Sequence, residues 1–173
     1  MLEHRILAGN GGDFHNTDLS ADGMVFRPCR PEDGEAVQWL YDHGFLSGHD
    51  DPDEGDRPLT IWVAETEGEV VGTVGLVVDE AQVAHVRALR VAPIWRERHL
   101  SRRLIQFAVE QAREQDCLKL MLHTFADADR AANVVRSLGF NLAGLRDEAG
   151  RKRLEFYLDL YKPPTAPQWG EIA

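Results

Sequence analysis

The segment from Leu89 to Leu104 constrains the fold of this chain more than any other stretch. It reads Leu89-Arg90-Val91-Ala92-Pro93-Ile94-Trp95-Arg96-Glu97-Arg98-His99-Leu100-Ser101-Arg102-Arg103-Leu104. Strand character ends at Val91, Pro93 makes a turn, and an amphipathic helix begins near His99 or Leu100. A helix N-terminus presents free N–H groups to whatever lies before it. With the helix dipole, those donors make an anion site suited to a phosphate or pyrophosphate. Arg96, Arg98 and Arg102 add positive charge at that point.

The rest of the chain alternates elements around this segment. Met24–Arg27 reads as a short strand. Pro31 opens a helix whose first turn carries Glu32 and Asp33, with Val37, Leu40 and Tyr41 on its apolar face and Gly44 at its end. A long connection over 45–59 holds His49, Asp50, Asp51, Asp53, Glu54 and Asp56. Ile61–Glu65 and Val70–Val78 form a hairpin turned at Glu67-Gly68, and Val83–Val91 is the next strand. A helix of about four turns follows from Leu100 to Gln115, with Leu100, Leu104 and Ala108 on one face flanked by Ile105 and Phe107. Leu118–Thr124 is a strand. Asp127 or Asp129 is placed to cap a short helix whose face shows Ala131, Val134, Val135 and Leu138, closed by Gly139. Two last strands, Asn141–Arg146 and Leu154–Leu160, turn at Glu148-Ala149-Gly150. The order is β-α-loop-β-β-β-α-β-α-β-β, with no internal repeat and no second domain.

With 173 residues, 43% of them hydrophobic, the chain carries enough apolar material for one core. Residues 1–22, polar and glycine-rich, read as an arm outside that core, 23–161 as the domain, and 162–173, with Pro163, Pro164, Pro167 and Trp169, as a tail. Cys29 and Cys117 make no ligand spacing and read as small thiols in a reducing, cytoplasmic setting. No stretch approaches the roughly 18 apolar residues of a membrane span, and no signal-peptide pattern opens the chain. Net charge is −10, from 29 acidic and 19 basic residues. That argues against a nucleic-acid partner, whose binding surface is basic. The arginines of the 96–102 loop are therefore a local exception in an acidic chain. His43 and His49 lie near carboxylates, but no H-x₃-H or cysteine partner supports a metal site.

The loop and its flanks resemble the GNAT superfamily of N-acetyltransferases. That family's pyrophosphate loop is Arg/Gln-x-x-Gly-x-Gly/Ala, after a strand ending in Val-x-Pro and before a helix with early leucines. Here it reads Arg96-Glu97-Arg98-His99-Leu100-Ser101, after Val91-Ala92-Pro93 and before Leu104. Ala131, Leu138, Gly139 and Phe140 match part of the family's downstream helix and Gly-Phe signature. The resemblance covers about 24–160. It implies a single α/β domain: a mixed, mostly antiparallel sheet with one parallel pair splayed around a cofactor arm, and helices on both faces. It implies acetyl-CoA as the coenzyme. The backbone of Leu89, Arg90 and Val91 would pair with the pantetheine arm. N–H groups from Glu97 to Ser101 would hold the pyrophosphate, with Arg96, Arg98, His99, Leu100 and Arg102 in the same loop, and Asn133 would bond the arm. The departures are specific. His99 stands at the central glycine, Ser101 at the Gly/Ala position, and Glu97 at another frequent glycine. Val135 stands four residues before Gly139, where many members have a tyrosine that protonates the leaving thiolate.

Acetyl transfer to an amine needs a neutral nucleophile and a proton acceptor, a task suited to histidine near neutral pH. His85 is the leading candidate base. It lies eleven residues before Arg96, the spacing at which histone-acetyltransferase members carry a catalytic glutamate. His123, at the end of the neighbouring parallel strand, is the second candidate, because ligand crevices open at such strand ends. Tyr157 is a remoter proton donor. The acidic residues of 45–59 suit a cationic amine, or serve as a solvated loop. The expected activity is transfer from acetyl-CoA to a primary amine of a small molecule or protein, by direct attack in a ternary complex. A degenerate acyl-CoA sensor or scaffold of the same fold is the alternative, favoured by His99, Glu97 and Val135. An unrelated α/β interaction domain is the third reading. Edge strands and Trp169 leave room for a homodimer.

Overall fold

The computed structural model describes residues 23–46 and 57–161. The arm over 1–22, most of the acidic connection, including His49 and Asp50 to Asp56, and the tail with Trp169 lie outside the described residues.

Among the described residues, eight strands and three helices follow the predicted order with one addition. The strands are β1 (Val25–Pro28), β2 (Phe45–Leu46), β3 (Thr60–Thr66), β4 (Glu69–Val78), β5 (Val83–Val91), β6 (Lys119–Phe125), β7 (Asn141–Glu148) and β8 (Arg151–Asp159). The helices are α1 (Gly34–His43), α2 (Leu100–Glu114) and α3 (Asp129–Ser137). The short β2 is the addition: two residues of the expected 45–59 connection pair with β5. A two-residue strand carries no periodic signal, so the sequence does not announce it.

The strands lie in the order β1-β3-β4-β5-β6-β8-β7, with β2 beside β5 off that path. Every pairing is antiparallel except β5 with β6. The mixed sheet, its one parallel pair and its helices on both faces are the architecture that the sequence implies.

The α2 helix sits on one face because its apolar positions recur every three to four residues. Leu100, Leu104, Ile105, Ala108, Val109 and Ala112 are all buried. Phe107 stacks on Phe26 of β1 at 5.2 Å and meets Trp62 of β3 edge-on at 5.8 Å. At its N-terminal end the helix closes on Gly72. A Cβ there would stand 3.0 Å from Leu104 Cδ1 and 3.1 Å from Leu100 Cδ2. Glycine therefore lets the first turn of α2 approach β4 directly opposite Val91. Burying each leucine of that turn contributes about 1.5–3 kcal/mol. Thus the core fixes where the helix N-terminus stands.

The α1 helix covers the opposite face. Its Tyr41 ring lies 4.5 Å from the Arg90 guanidinium of β5. Its entry is fixed by Arg27 of β1, which donates to both Asp33 oxygens at 2.8 Å and to Glu65 of β3 at 2.6 Å. Asp33 also accepts the Arg30 N–H at 2.7 Å. Helix α3 returns to the α2 face, burying Ala132 and Val135. Neither expected aspartate caps it. Ala128 holds the N-cap position, Asp129 is already helical, and Asp127 pairs instead with Arg151 at 3.2 Å.

The Arg27–Asp33 contact gives a pH-dependent prediction. Hydrogen bonding from Arg27, ahead of the opposing effect of burial, holds the Asp33 carboxyl below its ordinary value. Stability from a depressed carboxyl is complete above its unfolded value, near pH 4, and is lost as pH falls further. Asp33→Asn is expected to cost about 2–3 kcal/mol at pH 7. Its loss of stability on acidification below pH 4 should be shallower than in the parent. Urea unfolding at pH 7, 4 and 3 checks both. Equal acid sensitivity in the two proteins would remove Asp33 from the account.

Candidate coenzyme site and reactive face

The site begins with one extra residue in β5. Thr73 of β4 faces Arg90 and Gly75 faces Arg87, so Val74 opposes the two residues Ala88 and Leu89. This is a bulge, with Ala88 at φ +50°. Thr73 Oγ1 braces it, donating to the Ala88 carbonyl at 2.6 Å. A left-handed non-glycine residue is unfavourable, and such positions concentrate at functional sites.

The bulge coincides with a parting of strands. Val83, Ala84 and His85 pair in parallel with Lys119, Leu120 and Met121. Beyond those residues β6 stays paired with β8 as far as Phe125, and β5 stays paired with β4 as far as Val91. Among the described residues, β5 and β6 do not pair over Val86–Leu89. At the far end β2 takes up the same edge, with Phe45 opposite Val91 and Leu46 opposite Arg90. Leu89 therefore borders the split, while Arg90 and Val91 have a strand of this chain beside them.

The split leads to the 96–102 loop. Residues Pro93–Arg98 form a 3₁₀ turn, entered through Ala92, whose N–H donates to Val71 O at 2.9 Å. His99 then takes φ +59° and ψ +20°, and α2 starts at Leu100. The glycine that the family pattern places at His99 answers to this left-handed conformation, which here is held by a histidine. His99 does not cap the helix with its side chain. The first return bond along the helix runs from Arg103 N–H to His99 O at 3.3 Å. The N–H groups of Leu100, Ser101 and Arg102 therefore have no intrahelical acceptor, the usual condition of a first turn.

Around that helix start lies a cavity lined by Arg96, His99, Ser101, Arg102, Arg130, Ala131 and Val134. Four of its seven lining residues are Arg96, His99, Ser101 and Arg102, which the sequence singles out. The α3 side chains Arg130 and Val134 were not foreseen, because the spacing of α3 does not reveal what faces the loop. Arg130 makes a two-point contact with Glu97 at 2.9 and 3.1 Å, which lowers the Glu97 carboxyl. Arg102 donates to Ser137 at 2.7 Å. These ties fasten α3 to the loop and to α2. Arg98 instead lies 4.9 Å over the Trp95 ring, and Leu100 buries its side chain under the sheet. Asn133 is exposed on α3 and does not line the cavity. Val135 is buried in the core, so no proton donor stands at that position. The residues fit an anionic, phosphate-bearing group: a helix start without a side-chain cap, ringed by arginines.

Both candidate bases lie on the face covered at its other end by α1. His85 faces Met121 across β5 and β6, Met121 faces Tyr157, and His123 is two residues further along β6. His85 Nε2 is 3.0 Å from Asp79 Oδ2. His123 Nε2 is 3.9 Å from Glu155, which also takes Arg146 at 2.8 Å and Arg153 at 3.4 Å. Because of the bulge, Arg87 and Arg90 share this face although three residues apart. No sequence spacing marks Asp79 or Glu155, since their partners sit on other strands.

His99 supplies a test of the loop geometry. His99→Gly removes a left-handed strain worth about 1 kcal/mol and should stabilise the chain by a similar amount. Urea unfolding measures it. A loss of stability would mean that the imidazole itself holds the loop.

Among the described residues no helix is long and apolar enough to cross a membrane. Comparison with known proteins places these features in a family. The model of the acetyltransferase (GNAT) family matches residues 25–140. The uncharacterized N-acetyltransferase YjgM of Escherichia coli is 35% identical over 82 residues, which are 46% of this chain and 49% of that protein, so the match spans about half of its length. The ribosomal-protein-S18-alanine N-acetyltransferase of Escherichia coli superposes with a TM-score of 0.70 at 16% identity, covering 83% of this chain and 97% of that one. A Bacillus subtilis acetyltransferase in complex with CoA gives 0.65 at 18% identity, covering 80% and 99%. With its split sheet, its arginine-ringed helix start and a family match over most of its length, this chain belongs to the GNAT acetyltransferase family.

Proposed function

We propose that this protein transfers an acetyl group from acetyl-CoA to a primary amine of a small molecule or a protein, within a ternary complex. The observation that carries the reading is the continuity of two features. The parting of β5 from β6 over Val86–Leu89 leads to the arginine-ringed start of α2.

Each part of that path has a physical task. The N–H groups at the start of α2, with Arg96, Arg102 and Arg130, suit a pyrophosphate. The edge of β5 near Leu89 suits an extended amide-bearing arm, which adds to a sheet as a strand does. Adding it at Arg90 and Val91 requires β2 to yield there. Acetyl-CoA supplies an activated acyl carbon. The residues of this chain hold it against the face carrying His85 and His123, so that positioning contributes most of the acceleration. His85 accepts the proton of the incoming amine, directly or through one water. The solvent protonates the leaving thiolate, since Val135 offers no donor.

A second reading has its own support. With β2 beside Arg90 and Val91 and no tyrosine at position 135, a coenzyme-binding sensor keeps the anion site without turnover. The two readings share binding and divide on catalysis.

Acetyl-CoA at about 100 times its Kd is expected to stabilise the protein by about 2.7 kcal/mol, read as a rise in Tm. Arg96→Ala should weaken binding by about tenfold, the effect of one charge-assisted contact. Thiol release with a panel of primary amines, including a polyamine and a peptide with N-terminal alanine, should proceed well above the rate without amine. No Tm shift at millimolar coenzyme overturns both readings. A shift without amine-dependent thiol release leaves the sensor.

A further inference from the structure

We propose that Glu97 sets how tightly the site takes its coenzyme: its carboxylate holds the Arg130 guanidinium in an ion pair that a phosphate of the coenzyme must replace. The inference rests on the reading of the arginine-lined cavity as the phosphate site, and it gives a task to a residue that stands where the family pattern often has glycine.

The pair joins the loop to α3 beside the cavity. Arg130, in the first turn of α3, is one of the lining residues, whereas Glu97 belongs to the 3₁₀ turn and lies outside the lining. The guanidinium donates through Nη1 to Oε1 at 2.9 Å and through Nη2 to Oε2 at 3.1 Å. This is the two-point geometry in which an arginine takes either a carboxylate or a phosphate. Glu97 therefore engages donors that would serve an anion in the cavity. Both partners are charged near neutral pH. Hydrogen bonding from Arg130 holds the Glu97 carboxyl below its ordinary value, and the same contact holds the guanidinium above its own.

The pair is placed to exchange. Side-chain exposure is 59% at Arg130 and 75% at Glu97. Water already solvates both groups, so parting them costs little. A phosphate in the cavity meets more donors than the Glu97 carboxylate does: Arg130, Arg96, Arg102 and the N–H groups that open α2. Exchange returns the Glu97 side chain to solvent, while its backbone stays in the loop. It does not release α3, which buries Ala132 and Val135 and whose Ser137 accepts from Arg102 at 2.7 Å. That second tie runs to a neutral hydroxyl, so it leaves the charge of Arg102 in place. A standing competitor for Arg130 thus makes the site weaker than its arginines alone would make it, without dismantling the cavity.

Calorimetric titration with acetyl-CoA tests this on the full chain in four forms: the parent, Glu97→Gln, Arg130→Ala and the double variant. Glu97→Gln keeps the shape of the side chain and removes its charge. It should tighten binding by about three- to fivefold, the scale of an exposed ion pair. Arg130→Ala should weaken binding by about tenfold, as the loss of one charge-assisted contact does. In the Arg130→Ala background, Glu97→Gln should gain less than about 1.5-fold, because the carboxylate then has no guanidinium to hold. The Tm of each unliganded variant should stay within about 4 °C of the parent, since the pair is exposed. An equal gain from Glu97→Gln in both backgrounds would make Glu97 a charge that repels the coenzyme directly. Unchanged or weaker binding in a folded Glu97→Gln variant would make the pair a strut of the loop. Either result overturns the proposal. Arg96→Ala separates this from failure of the underlying reading. If Arg96→Ala weakens binding while Glu97→Gln does not tighten it, the phosphate site stands and only the role of Glu97 fails. If the folded parent does not bind acetyl-CoA, the phosphate site itself fails, and the proposal with it.

Discussion

The extra residue at Ala88 is the constraint on which the rest of the site depends. Without it β5 would run in register with β4 and could keep its parallel pairing with β6 along its length. With it, pairing to β6 stops after His85 while both strands keep their outer partners. The cost of a left-handed alanine is met by the Thr73 hydroxyl and by a fully packed sheet on either side. The same bulge brings Arg87 and Arg90 onto one face and leaves Leu89 at the edge of the split. One backbone irregularity thereby sets where β5 and β6 part, which side chains share a face, and the direction in which β5 delivers the chain to α2.

The second determinant is the anchoring of α2. Its first turn is pressed onto Gly72 by Leu100 and Leu104, so the N–H groups that start the helix are held by the core. A loop alone would not fix donors this well. Charge then sharpens what geometry prepares. A chain of net charge −10 gathers Arg96, Arg102 and Arg130 around this one helix start. The Glu97 carboxylate turns away to Arg130 and thereby ties α3 to the loop.

Much of the fold was legible because it rests on local periodicity. The spacing of Leu100, Leu104 and Ala108 marks α2 almost to the residue, and β5 is found with both its ends correct. The arginine-bearing start of α2 is legible too, since a proline turn, arginines and a helix start are consecutive in the chain. What stayed hidden is non-local. The pairing of Phe45 with Val91 has too little length to leave a pattern. Arg130 meets Glu97 across 33 residues, and no spacing rule connects them. His99 departs from the family pattern's glycine, yet its left-handed backbone shows that the conformation survives the change of residue. In sequence Asp79 is one acidic residue beside Glu80. Only the fold shows that it closes a turn and meets His85.

The central proposal is that the coenzyme arm runs through the split between β5 and β6. A crystal structure with coenzyme A bound tests this most directly. The expected result is density for the arm between the strands along Val86–Leu89, with the pyrophosphate at the N–H groups of Leu100 and Ser101 and β2 moved from Arg90 and Val91 where the arm passes. Coenzyme bound on another surface, or strands β5 and β6 paired throughout with the arm outside them, would contradict the account.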